Sequence, residues 1–298
     1  MSDALTLKWK AIAWLSARLG TPTEQSPPVD ARAAMRRSTA GPAFVMGNHR
    51  KLASVCEGKF AGVRVRHYVP EAARPGVLIY FHGGGWVLGD IDSHDSPARG
   101  LALATGREVV SVDYRLAPEH RYPAAFEDSL AVTRALAAQQ RVVVAGDSAG
   151  GNLAAVVANR CAKDGVSLAA QVLLYPVTDC AAETASYEAF AEGHLLSRET
   201  MRYFRREYVP EEARRTEAQC SPLRAESLKG VAPGYVLLAG CDVLRDEGRA
   251  YAKRLQIDGV DTVLDEVPGV LHGFFSLQGL KEGKAAMTRV AQWLAPRW

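Results

Sequence analysis

The chain has 298 residues, 48% of them hydrophobic and 23% charged, with a formal net charge of +3. That length suits one large α/β domain or two small ones, and the composition is that of an ordinary globular enzyme. So small and dispersed a positive excess argues against nucleic acid as a partner, and the pairs Arg36–Arg37 and Arg205–Arg206 read as solvated faces.

Taken in chain order, the first element is a helix. Leu5, Trp9, Ile12, Ser16 and Leu19 recur at helical spacing, Trp14 and Leu15 widen the apolar face, and Gly20 and Pro22 stop it. The stretch lacks the continuous apolar run of a signal peptide, and no run elsewhere approaches a membrane span. Residues 21–58 are rich in Pro, Ala and Arg and carry no strand signal; a short helix fits Val29–Ser38. From position 60 the pattern changes. GVRVRHYV (62–69) alternates as a half-buried strand does. VLIYF (77–81), VVSV (109–112), VVVAG (142–146), VLLY (172–175), VLLAG (236–240) and TVLDEV (262–267) follow. Helical stretches at 94–104, 124–138, 149–163, 246–257 and 283–294 separate most of them. This alternation implies an α/β fold, a mostly parallel sheet with helices on both faces. Between VLLYP and YVLLAG the chain is longer than a crossover needs. Residues 181–215 therefore read as a helical insertion above the sheet, and with residues 1–45 they would form a cap. The core then comprises 46–180 and 216–298.

The five cysteines, Cys56, Cys161, Cys180, Cys220 and Cys241, are odd in number and none shows C-x-x-C spacing. They read as reduced, packed thiols of a cytoplasmic protein, with neither a disulfide framework nor a metal site.

Chemistry enters at Gly146-Asp147-Ser148-Ala149-Gly150, a G-x-S-x-G placed between a buried-type strand and a helix. That context is what a nucleophile elbow requires: a sharp turn that lifts the serine hydroxyl above the sheet edge. Phosphate-loop and dinucleotide fingerprints are absent at both glycine clusters. Serine needs a base and the base an orienting acid. Two histidines follow Ser148, His194 and His272. His194 falls in the insertion, whereas His272 follows the last strand, so His272 is the better base. Asp242 stands just after VLLAG, at the carboxyl end of the sheet where ligands bind in open α/β folds. Asp246 and Glu247 begin the next helix, a position the dipole favours, and Asp265 lies inside a strand. The acid is therefore Asp242.

Six blocks in order, HGGGW (82–86), DYRLAPEHRYPAA (113–125), GDSAGG (146–151), YPVTD (175–179), DVLRDEG (242–248) and HGF (272–274), resemble the hormone-sensitive-lipase family of serine esterases. The resemblance spans about two thirds of the chain. It implies an α/β-hydrolase with a helical cap and the triad Ser148, Asp242 and His272. It also implies an oxyanion hole from the amides of Gly83, Gly84 and Ala149, and hydrolysis of short- to medium-chain carboxylic esters without cofactor or metal. A homodimer through an edge strand near the C-terminus is a further implication. One departure is Val243, where relatives often carry proline. Lactones, amides and acetylated small molecules suit the same triad. Receptors of this fold have lost the histidine that is present here as His272. Tyr114, Arg115, Glu119, Asp147 and His82 read as residues that hold the turns. Trp86, Phe274 and Phe275 would either line an apolar pocket or pack the core.

Overall fold

The computed structural model describes residues 4–19, 22–40, 43–46 and 51–298. The helix stop expected at Gly20 lies outside them. Three helices lead: α1 (Leu7–Leu19), α2 (Pro28–Thr39) and α3 (Ala43–Met46). Strands and helices then alternate as β1 (Ser54–Phe60), β2 (Val63–Val69), β3 (Arg74–Phe81), α4 (Asp95–Thr105), β4 (Arg107–Val112), α5 (Ala124–Ala137), β5 (Val142–Asp147), α6 (Ala149–Lys163) and β6 (Ala170–Leu174). Helices α7 (Ala185–Ala189) and α8 (Arg198–Tyr208) fill the long gap. The chain closes with β7 (Gly234–Cys241), α9 (Arg245–Ile257), β8 (Thr262–Leu271) and α10 (Lys281–Leu294).

The eight strands form one sheet in the order β1-β2-β4-β3-β5-β6-β7-β8. β2 pairs antiparallel with both β1 and β4; every other pairing is parallel. The apolar runs explain why the centre of this sheet is covered on both sides. Along β3, Val77, Ile79 and Phe81 face a core shared with α5, α6 and α9, while Leu78 and Tyr80 face one shared with α1, α4 and α10. Successive side chains of a strand point to opposite faces, so a continuous apolar run serves two cores at once. Strand order reverses around β3, whose neighbours are β4 and β5. The crevice at the carboxyl ends of β3 and β5 is thus a topological switch point, and it receives both the HGGGW loop and Ser148.

Two expectations need correction. Residues 54–60 are a strand. All but two of its residues are exposed, and its order comes from seven paired positions with β2 rather than from a buried face. Such an edge strand lacks the alternation a sequence reading depends on. On α1, Trp9 is completely buried, whereas Trp14 and Leu15 are 57% and 50% exposed. The stripe through Leu5, Trp9 and Ile12 faces the α4–α10 side of the sheet, Lys8 pairs with Glu282 at 2.5 Å, and Trp14 projects away. No helix among the described residues is long and apolar enough to cross a membrane.

Candidate active site

Ser148 sits between the end of β5 and the first turn of α6 with φ 55° and ψ −118°. A non-glycine residue at positive φ costs of order 1 kcal/mol or more and persists only where its surroundings enforce it. Here the Ser148 amide donates to Leu174 O at 2.8 Å, and its carbonyl accepts from Asn152 N at 3.0 Å. The flanking glycine is obligatory for space: a Cβ on Gly150 would lie 1.9 Å from Phe81 O. No side chain fits between helix and strand there, and Ser148 stays 7% exposed at the sheet edge.

His272 follows β8 directly. Its Nε2 is 2.9 Å from Ser148 Oγ, and its Nδ1 is 2.6 Å from Asp242 Oδ2. Asp242 follows β7, is 1% exposed, and its second oxygen accepts the Leu244 amide at 3.0 Å. The imidazole also rests against the Tyr175 ring, with centroids 4.6 Å apart. Three side chains from the ends of β5, β7 and β8 thus form one hydrogen-bonded line. His194 is elsewhere; its Nδ1 meets Glu192 O at 2.7 Å. Asp265 bonds Tyr235 and Arg289.

The glycine loop differs from expectation at one member. The Gly83 amide donates to Asp147 Oδ1 at 2.9 Å, so it is not free to serve a substrate oxygen. The amides of Gly84 and Gly85 have no protein acceptor among the described residues. Ala149, the first residue of α6, has no acceptor one turn back. The available donors are therefore Gly84, Gly85 and Ala149. Nothing in the H-G-G-G pattern distinguishes its three amides; the difference arises from where Asp147 points. Gly84 has φ 112°, and a Cβ there would be 2.3 Å from Leu88 O. Any side chain would displace the loop.

Asp147 anchors this arrangement. Besides Gly83 it accepts Tyr80 Oη at 2.6 Å and lies 3.6 Å from His94 Nε2. Burial pushes its carboxyl up, but His94 and the Tyr80 hydroxyl outweigh that and hold it below the usual value. His82, stacked on Tyr114 at 4.2 Å, is lowered to about 4 by burial and by neighbouring His94, so it is neutral at physiological pH. Tyr114 Oη donates to His82 O at 2.6 Å, Arg115 clasps Asp128, and Glu119 pairs with Arg32 of α2. Arg32 also reaches Val87 O at 2.7 Å, tying α2 to the glycine loop. Trp86, Phe274 and Phe275 are fully buried; Trp86 stacks on Tyr208 of α8 at 4.5 Å.

Arg205 and Glu247 depart from the solvated roles their sequence context suggests. Arg205 is 5% exposed and bonds the Tyr187 hydroxyl; Glu247 is fully buried and accepts the Thr178 amide at 2.6 Å. Burial raises the Glu247 carboxyl to about 7, against the opposing pull of Arg205, 3.9 Å away, and two backbone amides. A carboxyl that binds its proton more tightly when folded contributes stability that is full below its unfolded value of 4.5 and lost as pH rises through 7. Glu247→Gln keeps an acceptor for Thr178 and should remove this slope, worth about 3 kcal/mol. Denaturant melts of both proteins at pH 5 and pH 8 would show it; parallel pH dependence in the two would refute it.

A serine, an imidazole and a carboxylate in line at the carboxyl edge of a parallel sheet, facing free backbone amides, define a serine hydrolase of the α/β-hydrolase fold. Comparison with known proteins agrees. A family model of the alpha/beta hydrolase fold matches residues 78–276. The carboxylic ester hydrolase LipN of Mycobacterium tuberculosis is 41% identical over 249 residues, which cover 78% of this chain and 66% of that protein, just short of two thirds. The ethyl acetate hydrolase of Pseudomonas putida is 40% identical, covering 73% of each. Among solved structures, the ester hydrolase EH1AB1 from the Lake Arreo metagenome superposes with a TM-score of 0.91 at 40% identity over 98% of both chains. An esterase of Pyrobaculum calidifontis gives 0.92 at 33% identity, also over 98% of both. The chain belongs to the hormone-sensitive-lipase-like family of α/β hydrolases, whose relatives here are carboxylic ester hydrolases.

Proposed function

We infer that the protein is a serine carboxylesterase in which Ser148, His272 and Asp242 carry acyl transfer to water. The observation that carries this reading is the Ser148–His272–Asp242 line, at 2.9 and 2.6 Å, beside unpaired amides. His272 Nε2 takes the Ser148 proton as the oxygen attacks the ester carbonyl. Asp242 holds the Nδ1–H tautomer and stabilises the imidazolium. The carbonyl oxygen, now negative, accepts from Gly84, Gly85 and Ala149. Each such donor is worth about 3 kcal/mol of barrier. Collapse of the intermediate expels the alcohol, which receives the proton from His272. Water then repeats the sequence on the acyl-enzyme and releases the acid.

The substrate class is a small ester of short to medium acyl chain. Support comes from the ethyl acetate hydrolase among the relatives and from α8, which presses on the glycine loop. A Cβ on Gly85 would be 2.1 Å from Phe204 Cγ, so the ring occupies the space beside that loop. Helix α2 and the segment 181–215 act as one cap, joined just ahead of α2 by the Thr200 hydroxyl donating to Glu24 at 2.9 Å. Activity on p-nitrophenyl esters should peak at acyl lengths of roughly two to six carbons and fall by about tenfold or more at twelve, as one misfit methylene is worth 1–3 kcal/mol. Equal kcat/KM from acetate to laurate would reject the short-chain reading.

The thiols, none of them in a disulfide among the described residues, fit a cytoplasmic setting. A dimer would pair β8 edges, where Val263 and Leu264 are 36% and 40% exposed. Leu264→Glu should then shift the sedimentation coefficient from dimer to monomer, and a wild type that sediments as a monomer would dismiss the pairing.

A further inference from the structure

Cys180 and Cys220 stand 40 residues apart in sequence at the two ends of the segment that carries α7 and α8. The fold brings them together. Cys180 Sγ donates to Cys220 O at 3.3 Å, and the Cys180 amide donates to Ser221 Oγ at 2.8 Å. The Cys220 thiol in turn donates to Arg214 O and Arg215 O at 3.5 and 3.4 Å and lies 3.9 Å from Ser221 Oγ. Both residues are buried, at 1% and 0% exposure, while Cys56 is the exposed cysteine. The Cys220 carbonyl is also held by Asn152 Nδ2 at 2.8 Å, one turn after Ser148 on α6.

We propose that Cys180 and Cys220 are a redox-active dithiol, a modification site that a small peroxide converts to a disulfide stapling the base of the segment over the active site. The two cysteines are not equivalent. Neighbouring Cys180, with help from Ser221, holds the Cys220 thiol below its ordinary value against burial. The Cys220 neighbour, together with burial, pushes Cys180 well above its own ordinary value. Cys220 is therefore the attacking sulfur, because the thiolate is the nucleophile. Its sulfur attacks one peroxide oxygen and the O–O bond breaks. The product is a Cys220 sulfenic acid, the second oxygen leaving as water once protonated. Cys180 sulfur then attacks the sulfenic sulfur, its proton joins the departing hydroxide, and a second water leaves. Two thiols lose two electrons and two protons, and one hydrogen peroxide becomes two waters. Burial restricts the reaction to an oxidant as small as hydrogen peroxide.

The test uses the full-length enzyme treated with hydrogen peroxide, denatured in an alkylating agent and digested. Two of the five thiols should become unalkylatable, with a Cys180–Cys220 linked peptide 2 Da lighter than the sum of its parts, restored by dithiothreitol. Oxidised enzyme should melt about 5 °C higher, as expected for closing a loop of this length. Cys180→Ser should give no link and should instead trap Cys220 as a dimedone adduct. Full alkylation of both residues after peroxide, or oxidation confined to Cys56 with dimers linked through it, would overturn the proposal. None of these readouts depends on ester hydrolysis, so their failure would leave the esterase reading untouched.

Discussion

Ser148→Ala should lower kcat on a p-nitrophenyl ester by ~10⁵-fold or more while leaving the melting temperature within a few degrees of wild type. The loss is large because the covalent route disappears. No other hydroxyl bonds His272 Nε2 among the described residues, which meets only Ser148 Oγ at 2.9 Å. The fall should stop short of the uncatalysed rate. Backbone donors at Gly84, Gly85 and Ala149 and the bound substrate still favour attack by water, and such remnants supply about 10³–10⁴ over solution. The fold should tolerate the change, because the turn is enforced by the Leu174 and Asn152 backbone bonds and by the contact at Gly150, all of which survive. A fluorophosphonate probe adds a readout independent of turnover. It should modify the wild-type peptide carrying Ser148 once per chain and leave the variant unlabelled. Retained activity, or a label on another serine, would remove Ser148 from the mechanism.

How far the sequence could carry this reading depends on what each residue's neighbours are. That Ser148, Asp242 and His272 meet was legible because each immediately follows an apolar strand, and strand ends in a parallel sheet converge on one edge. The layers were legible for the same reason: runs such as VLIYF and VVVAG fit only strands buried on both faces. β1 was not, since SVCEGKF has no buried face and is ordered by its partner. Nor was the commitment of Gly83, which depends on a carboxylate 64 residues away in sequence. Arg205 and Glu247 failed in the opposite sense. A charge run on a helix and acids in a first turn are ordinarily solvated, and only the packing of α8 against the Thr178–Asp179 loop buries them. Phe204 belongs with these: its pattern says amphipathic helix, but its position on Gly85 requires the return of the chain over the sheet.

Asp242→Asn should lower kcat by about 10⁴-fold with little change in KM. The argument rests on which end of the new amide faces the ring. Asp242 Oδ1 accepts the Leu244 amide at 3.0 Å, and Oδ2 accepts from His272 Nδ1 at 2.6 Å. An asparagine has one acceptor and one donor to replace two acceptors. Leu244 offers only an N–H in a site that is 1% exposed, so leaving that amide unpaired would cost about 1–3 kcal/mol. The asparagine oxygen therefore goes to Leu244 and its NH₂ goes to His272. Facing a donor, Nδ1 must become the acceptor, which moves the ring proton to Nε2. Nε2–H then points at Ser148 Oγ and cannot take its proton. The constellation would look intact and yet hold the wrong tautomer, so a structure of the variant should superpose on the wild type. Fluorophosphonate labelling of Ser148 should slow by a similar factor, since it needs the same base. A loss of less than tenfold would mean that another acceptor orients His272, and the acid would have to be sought elsewhere on the edge of the sheet.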